Sequence, residues 1–301
     1  MSSLQPWLVA SFASLLVAHA GAMAADVGTS KSFHGRVGLQ LYSLREMQRT
    51  EGVAATLDKA KSWGFKYVEV ASLGDLTPAQ FKAELDRRGL VAIGSHFPYE
   101  RLRDDIEGVA RDTQALGMPC AGCAWIPHKA PFDAKQCREA AAVLNRAGAA
   151  LARHGIKFYL HNHGYEFQPF GEGTLFDLLM AETDPQTVFF QMDLLWVVLP
   201  GQDPANLLEK YPQRWLLMHL KDLKKGVPLG SLSGNTDLEN DVALGTGQVD
   251  FPKVLRTAQR IGVEYYFIED ESPTVVEQVP QSLRFLESVE WSSGGPKTPR
   301  R

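Results

Sequence analysis

Four short polar clusters stand at the ends of apolar runs in the second half of this chain. They are "YLHNHGYEF" at residues 159–167, "FFQMD" ending at Asp193, "LMHLKD" with His219 and Lys221, and "YYFIEDE" with Glu269. In an extended strand every second side chain shares a face. That period groups Tyr159, His161 and His163; Phe189, Gln191 and Asp193; Leu217, His219 and Lys221; and Tyr265, Phe267 and Glu269. Carboxylates and histidines gathered away from water repel one another or shift their pKa values unless something neutralises them. A divalent cation does so directly, and a carboxylate-rich set with an imidazole suits Mn²⁺, Mg²⁺, Co²⁺ or Zn²⁺. Each residue also has a plainer reading. His219 fits a hydrogen-bonded rim residue, Asp193 a helix or turn cap, Glu269 part of a solvated acidic turn, and Glu166 a salt-bridge partner. The joint pattern is what favours a metal.

These groups converge only if the elements carrying them lie side by side. The chain alternates short apolar runs with amphipathic stretches, giving eight candidate strands at 37–41, 67–70, 91–95, 120–125, 157–162, 188–193, 215–221 and 265–269. Helical stretches such as "VAATLDKAKSWG", "PAQFKAELDRRG", "EAAAVLNRAGAALARHG" and "FPKVLRTAQRIG" lie between them and end at Gly64, Gly89, Gly155 and Gly262, as left-handed helix caps require. Strand followed by helix eight times over implies a parallel sheet with right-handed crossovers, whose simplest closure is a (β/α)8 TIM barrel. The rival, an open doubly wound sheet, lacks a GxGxxG after its first strand. In a barrel, active sites form at the C-terminal strand ends, where all four clusters fall.

Composition narrows the partners. The 301 residues are 45% hydrophobic and 22% charged with net charge −4, and no basic run exceeds a pair. Binding to a nucleic-acid backbone needs clustered Lys and Arg, so nucleic acid is not expected. The first 24 residues read as a signal peptide: "WLVASFASLLVAHAGAMAAD" is apolar and rich in small residues, and Ala22-Met23-Ala24 fits a cleavage site, although a basic start is missing. The mature protein is therefore expected to be exported, periplasmic or secreted, with a domain over 36–290, no membrane span and a flexible tail at 291–301. Cys120, Cys123 and Cys137 are an odd set. Buried thiols are expected, with a disulfide or zinc site as the alternative for the CxxC pair. Residues 223–247, rich in Gly, Ser, Asn and Asp, form one long interruption after the seventh strand, of the kind that is either functional or a mobile insertion.

With those motifs in order, the sequence resembles the sugar phosphate isomerase/epimerase family of xylose-isomerase-like TIM barrels. "VGLQLYSLRE", "GFKYVEVA", "GLVAIGSHF", "LHNHGYEF", "FFQMDLLWVVLPGQDP", "LMHLKD" and "LGTGQVDF…YYFIEDE" carry the likeness from about residue 36 to residue 290. The resemblance implies one divalent cation held by Glu166, Asp193, His219 and Glu269. Many relatives place a Glu on the fifth strand itself, where this chain has His161, so either Glu166 reaches back from the loop or His161 takes its place. It further implies a metal-dependent isomerase or epimerase acting through an enediolate on a sugar, and the expected export together with the lack of an Arg or Lys cluster suited to a phosphate makes a non-phosphorylated sugar the expectation. Glu269 or Glu166 would serve as the base, with His163, Lys221 and His96 polarising oxygens or moving protons. Gln40, Glu69 and His161 would bind hydroxyls, and Trp196 and Trp125 would offer flat faces to the ring. A 3-oxo-glycoside lyase or hydratase on the same site is the alternative, and a non-catalytic sugar-binding barrel a third. The natural sugar, the cation and the oligomeric state are left open.

Overall fold

In the computed structural model the described residues are 27–291, so the expected signal peptide 1–24 and the expected tail beyond residue 291 lie outside them. Eight parallel strands form the barrel: β1 Arg36–Gln40, β2 Tyr67–Val70, β3 Val91–Ser95, β4 Cys120–Cys123, β5 Lys157–His161, β6 Val188–Asp193, β7 Trp215–Leu220 and β8 Tyr265–Ile268. The hydrogen-bonded order runs β3-β2-β1-β8-β7-β6-β5-β4. The remaining seam, between β3 and β4, is joined by a single bridge from His96 to Gly122 and by Phe97 N–H donating to the Gly122 carbonyl at 2.8 Å. The eight expected strands are all present, each within a residue or two of its expected bounds.

The strands are buried on both faces because helices wrap them outside and side chains fill them inside. Helix Pro78–Arg88 starts on a capping box between Thr77 and Gln80, and ends at Gly89 with φ 64°. The other expected cap glycines, Gly64, Gly155 and Gly262, also take positive φ. Helix Arg45–Ser62 is longer than its sequence pattern suggests because a first turn joins it across a kink at Gly52, whose φ is 88°.

Inside the barrel, Tyr67, Ile93, Cys120, Tyr159, Leu217 and Phe267 form a packed layer beneath the polar rim. Tyr159 governs this layer. Its ring lies where a Cβ on Gly122 would come within 2.3 Å, and its hydroxyl where a Cβ on Gly94 would come within 2.7 Å. The bare backbone at those two positions lets the phenol cross the barrel from β5 and donate to Glu69 on β2. Hydrogen bonds to a buried charge are worth about 1.5–3 kcal/mol. Tyr159→Phe is therefore expected to lower stability by about that much without altering the far-ultraviolet circular dichroism. A urea midpoint equal to wild type would contradict this account.

All three cysteines are buried free thiols, with burial pushing Cys120 and Cys123 up to about 12. The zinc and disulfide alternatives for the CxxC pair thus give way to two inert strand thiols. Among the described residues no helix is long and apolar enough to cross a membrane.

Candidate metal centre and active site

Register brings the polar strand ends together. Gln40 pairs with Glu69, His161 with Gln191, and Asp193 with His219 across neighbouring strands. The last turns of these strands therefore stack one polar layer above the Tyr159 layer.

Glu69 anchors this polar layer. Its fully buried carboxylate accepts from Gln40 Nε2 at 2.6 Å, Gln191 Nε2 at 2.9 Å, His219 Nε2 at 2.5 Å and the Tyr159 hydroxyl. Burial opposes its ionisation, but His96, His219 and the donated hydrogen bonds outweigh that and hold it at about 2. Because an ionised carboxylate only accepts, these contacts fix the protons around it. Gln191 must turn its Nε2 toward Glu69, which leaves its Oε1 to accept from His96 Nε2 at 2.8 Å and His161 Nδ1 at 3.1 Å. His161 Nε2 is then left without a hydrogen bond and His219 Nδ1 is aimed at Glu269 Oε2, each ring oriented from behind as metal-ligating imidazoles usually are. Glu69 is thereby saturated by protein donors and does not line the cavity. The sequence expectation that it binds substrate hydroxyls is corrected: its contacts orient Gln40, Gln191 and His219 instead.

Both nitrogens face carboxylates. His219 Nδ1 lies 3.1 Å from Glu269 Oε2 and 3.7 Å from Asp193 Oδ2, and His161 Nε2 lies 3.9 Å from the same Asp193 oxygen. Donor atoms of Asp193, His219 and Glu269 all fall within 4.8 Å of one another, as do those of His96, His161 and His219. In the second set the Nε2 protons of His96 and His219 are committed to Gln191 and Glu69, so the first set is the better cation site. Asp193 supports this most directly. Its Oδ1 caps helix Leu194–Val198 by accepting from Trp196 N–H at 3.0 Å, while its buried Oδ2 has no hydrogen-bond partner at all. A buried carboxylate oxygen left bare is costly unless a positive charge meets it. The cap reading of Asp193 holds for Oδ1, and Oδ2 remains open to the ligand reading. The residues fit a divalent cation. For His219, burial disfavours charge, but Glu69 and Glu269 outweigh it and hold its pKa well above the histidine range. The pocket demands positive charge, which a proton or a cation supplies.

Glu166 belongs to neither donor set. It sits in the short turn Tyr165–Phe167, fully buried, with Oε2 accepting from His163 N–H at 2.9 Å and Oε1 unpartnered. Burial, only partly offset by the His163 N–H, pushes its pKa up to about 8. It does not line the cavity. The structure therefore does not bring Glu166 to the other three expected ligands, and the strand-borne His161 is the residue beside them.

Above the donor set opens a cavity of about 580 Å³. Glu269 and His161 belong to both floor and cavity, and Gln40, His96, His163, Trp196 and Lys221 line it as expected. Lys221 is 1% exposed, with Nζ 2.5 Å from Glu271 Oε1, 3.4 Å from Glu269 Oε2 and 3.7 Å from Asp241 Oδ2. Burial disfavours its charge, but Glu269, Asp241 and other carboxylates hold it well above the usual lysine range. His163 is pushed down to about 3, by burial first and then by Lys221, so its ring is neutral. Glu271 and Asp241 went unrecognised in the sequence. Glu271 continues the two-residue period from Glu269 and was within reach of that signal, whereas Asp241 arrives from the far end of the long loop.

A profile of the xylose isomerase-like TIM barrel family matches residues 57–291. An inosose dehydratase from Salmonella typhimurium is 27% identical over 272 residues, covering 80% of this chain and 85% of that protein. A crystal structure of a sugar phosphate isomerase/epimerase from Parabacteroides distasonis superposes with TM-score 0.70 at 24% identity, covering 83% of this chain and 97% of the other. A crystal structure of the IOLI protein with a bound zinc atom does so with TM-score 0.64 at 13% identity, covering 83% and 96%.

Proposed function

This chain belongs to the xylose isomerase-like TIM barrel family, and from that premise we propose that it is a divalent-cation-dependent enzyme that removes the proton beside the carbonyl of a non-phosphorylated carbohydrate. The observation that carries the reading is the unpartnered Asp193 Oδ2 facing His219 Nδ1 and His161 Nε2 under an open cavity. The zinc in a structural relative is consistent with it. When bound, a divalent cation supplies Lewis-acid polarisation of the carbonyl and neighbouring hydroxyl oxygens.

The protein's own groups supply the rest. Asp193, His219, Glu269 and His161 are the proposed ligands. Glu269 also borders the cavity, and its carboxylate, held ionised by Lys221 and His219 against burial, is the proposed base. Lys221 keeps a fixed positive charge beside it, placed to stabilise the negative charge that develops on substrate oxygen. Neutral His163 offers a hydrogen bond to hydroxyls, His96 lines the same cavity, and Trp196 offers an apolar face. Glu166 is shut away from the cavity and has no direct part in the chemistry. The acidic side chains Asp237, Asp241, Glu269 and Glu271 line the same cavity against a single lysine, which argues against a phosphorylated substrate. The apolar leader supports placing the enzyme outside the cytoplasm.

Returning the proton gives isomerisation or epimerisation. Loss of the next substituent gives dehydration or elimination, and the dehydratase relatives favour that second outcome about as strongly as structural relatives favour the first. Incubation of the cation-loaded enzyme in deuterated water with a free ketose and with a 3-oxo-glucoside tests the proposal. Deuterium beside the carbonyl in an intact skeleton supports isomerisation, and aglycone release supports elimination. Absence of exchange with both would reduce the barrel to a binding module.

A further inference from the structure

The cavity has two unlike ends. Its floor is charged, with Glu269, Lys221, Glu271 and the histidines, whereas its rim carries Tyr42, Trp125 and Leu238, which are 44%, 41% and 47% exposed. Scattered apolar side chains on a surface mean little, but these three line one cavity. Each is held by a different element. Tyr42 stands in the turn Leu41–Leu44, its N–H donating to Gln40 Oε1 at 3.1 Å and its ring under the Arg45 guanidinium at 4.5 Å. Trp125 follows β4, its ring edge-on to Tyr165 at 4.8 Å and to His163 at 5.1 Å, and stacked with His128 at 5.4 Å.

Leu238 comes from the long loop after β7, which is anchored rather than loose. Its stem pairs Asp222–Leu223 with Asp241–Val242, and the Asp222 carboxylate accepts from the N–H groups of Gly245, Gly247 and Val249 at 2.9, 2.8 and 3.0 Å. The loop crosses the mouth as far as Trp125. A Cβ on Gly234 would stand 2.4 Å from that ring, so only glycine lets the strap lie so close. Side chains fixed from behind and bare in front are a preorganised contact surface.

We propose that this rim is a subsite for a planar apolar substituent, so that the substrate is an aryl glycoside carrying a ketone on its sugar ring, that ring on the charged floor and its aglycone between Trp125, Tyr42 and Leu238. The inference rests on the carbohydrate reading above. A second sugar ring is the lesser fit, since it would press hydroxyls against Leu238 and the face of Trp125.

The test is calorimetric titration of the cation-loaded protein with the methyl and phenyl β-glycosides of glucose and galactose, and with cellobiose, each oxidised to the 3-ketone on its non-reducing ring. Phenyl glycosides are expected to bind roughly threefold to tenfold tighter than their methyl counterparts, the range an aromatic contact contributes. That ratio should fall toward one in Trp125→Ala and in Leu238→Ala, and persist in Trp125→Phe. Leu238 is exposed on the strap, so its variant answers even if Trp125→Ala unfolds. Equal binding of methyl and phenyl glycosides overturns the subsite while leaving the carbohydrate reading intact. So does cellobiose binding tighter than phenyl glucoside, or a ratio untouched by both alanine variants. Failure of every glycoside to bind the wild-type protein overturns the carbohydrate reading itself, and the subsite falls with it.

Discussion

Asp193→Asn is expected to yield a folded barrel that no longer retains a divalent cation through dialysis. The substitution separates the two tasks of this side chain. Asn keeps an oxygen to accept from Trp196 N–H, so the cap on helix Leu194–Val198, worth about 0.5–2 kcal/mol, survives. The other carboxylate oxygen, which has no hydrogen-bond partner within the protein, becomes an amide that repels a cation and lacks the charge to hold one. Changes to groups that merely orient a metal's ligands typically cost 10–100-fold in affinity, so loss of a direct ligand should exceed about 100-fold. Asp193→Ala should lose the cation equally and melt lower, because it sacrifices the cap as well. Elemental analysis after dialysis and thermal unfolding together check the pair. Stoichiometric metal in both variants would place the cation elsewhere and remove the base of the proposed chemistry.

The barrel was legible because its signals are local. Strand lengths, the Gly64, Gly89, Gly155 and Gly262 caps and the eightfold alternation each depend on a few neighbouring residues. The two-residue period was equally reliable for direction: Tyr159, Leu217 and Phe267 do point into the barrel, with His161, His219 and Glu269 one step above them. What could not be read was the traffic across the barrel. Glu69 gathers donors from β1, β5, β6 and β7, and no spacing in "YVEV" announces that four side chains will saturate it. The same period, applied to β2, does put Tyr67 and Glu69 on the inner face, so its direction was available and its role was not. The long loop was recognised as an interruption. That it is anchored through Asp222 and laid across Trp125 depends on backbone approach at Gly234, which shows only in three dimensions.

The same limit explains the fifth-strand ligand, and here the structure makes a sharp prediction. Sequence favoured Glu166 because a carboxylate is the expected ligand type, yet the turn Tyr165–Phe167 folds that side chain back onto the His163 N–H. His161 instead ends β5 with Nε2 bare and 3.9 Å from Asp193 Oδ2. Burial, and secondarily His219, keep it uncharged, the form in which imidazole binds metals. His161→Ala is therefore expected to weaken cation binding by at least about 10–100-fold. Glu166→Gln, an isostere of the neutral acid, should leave affinity nearly unchanged. The glutamine variant has a second signature. Burial raises Glu166 from 4.5 to about 8, so across that window the folded protein holds a proton the unfolded chain has released. Stability from this group is complete below pH 4.5 and declines as pH climbs toward 8. Glu166→Gln should flatten that decline, measured by urea unfolding across the window. If Glu166→Gln loses the cation while His161→Ala keeps it, the carboxylate swings out of its turn to bind, and the ligand set reverts to the one the sequence first suggested.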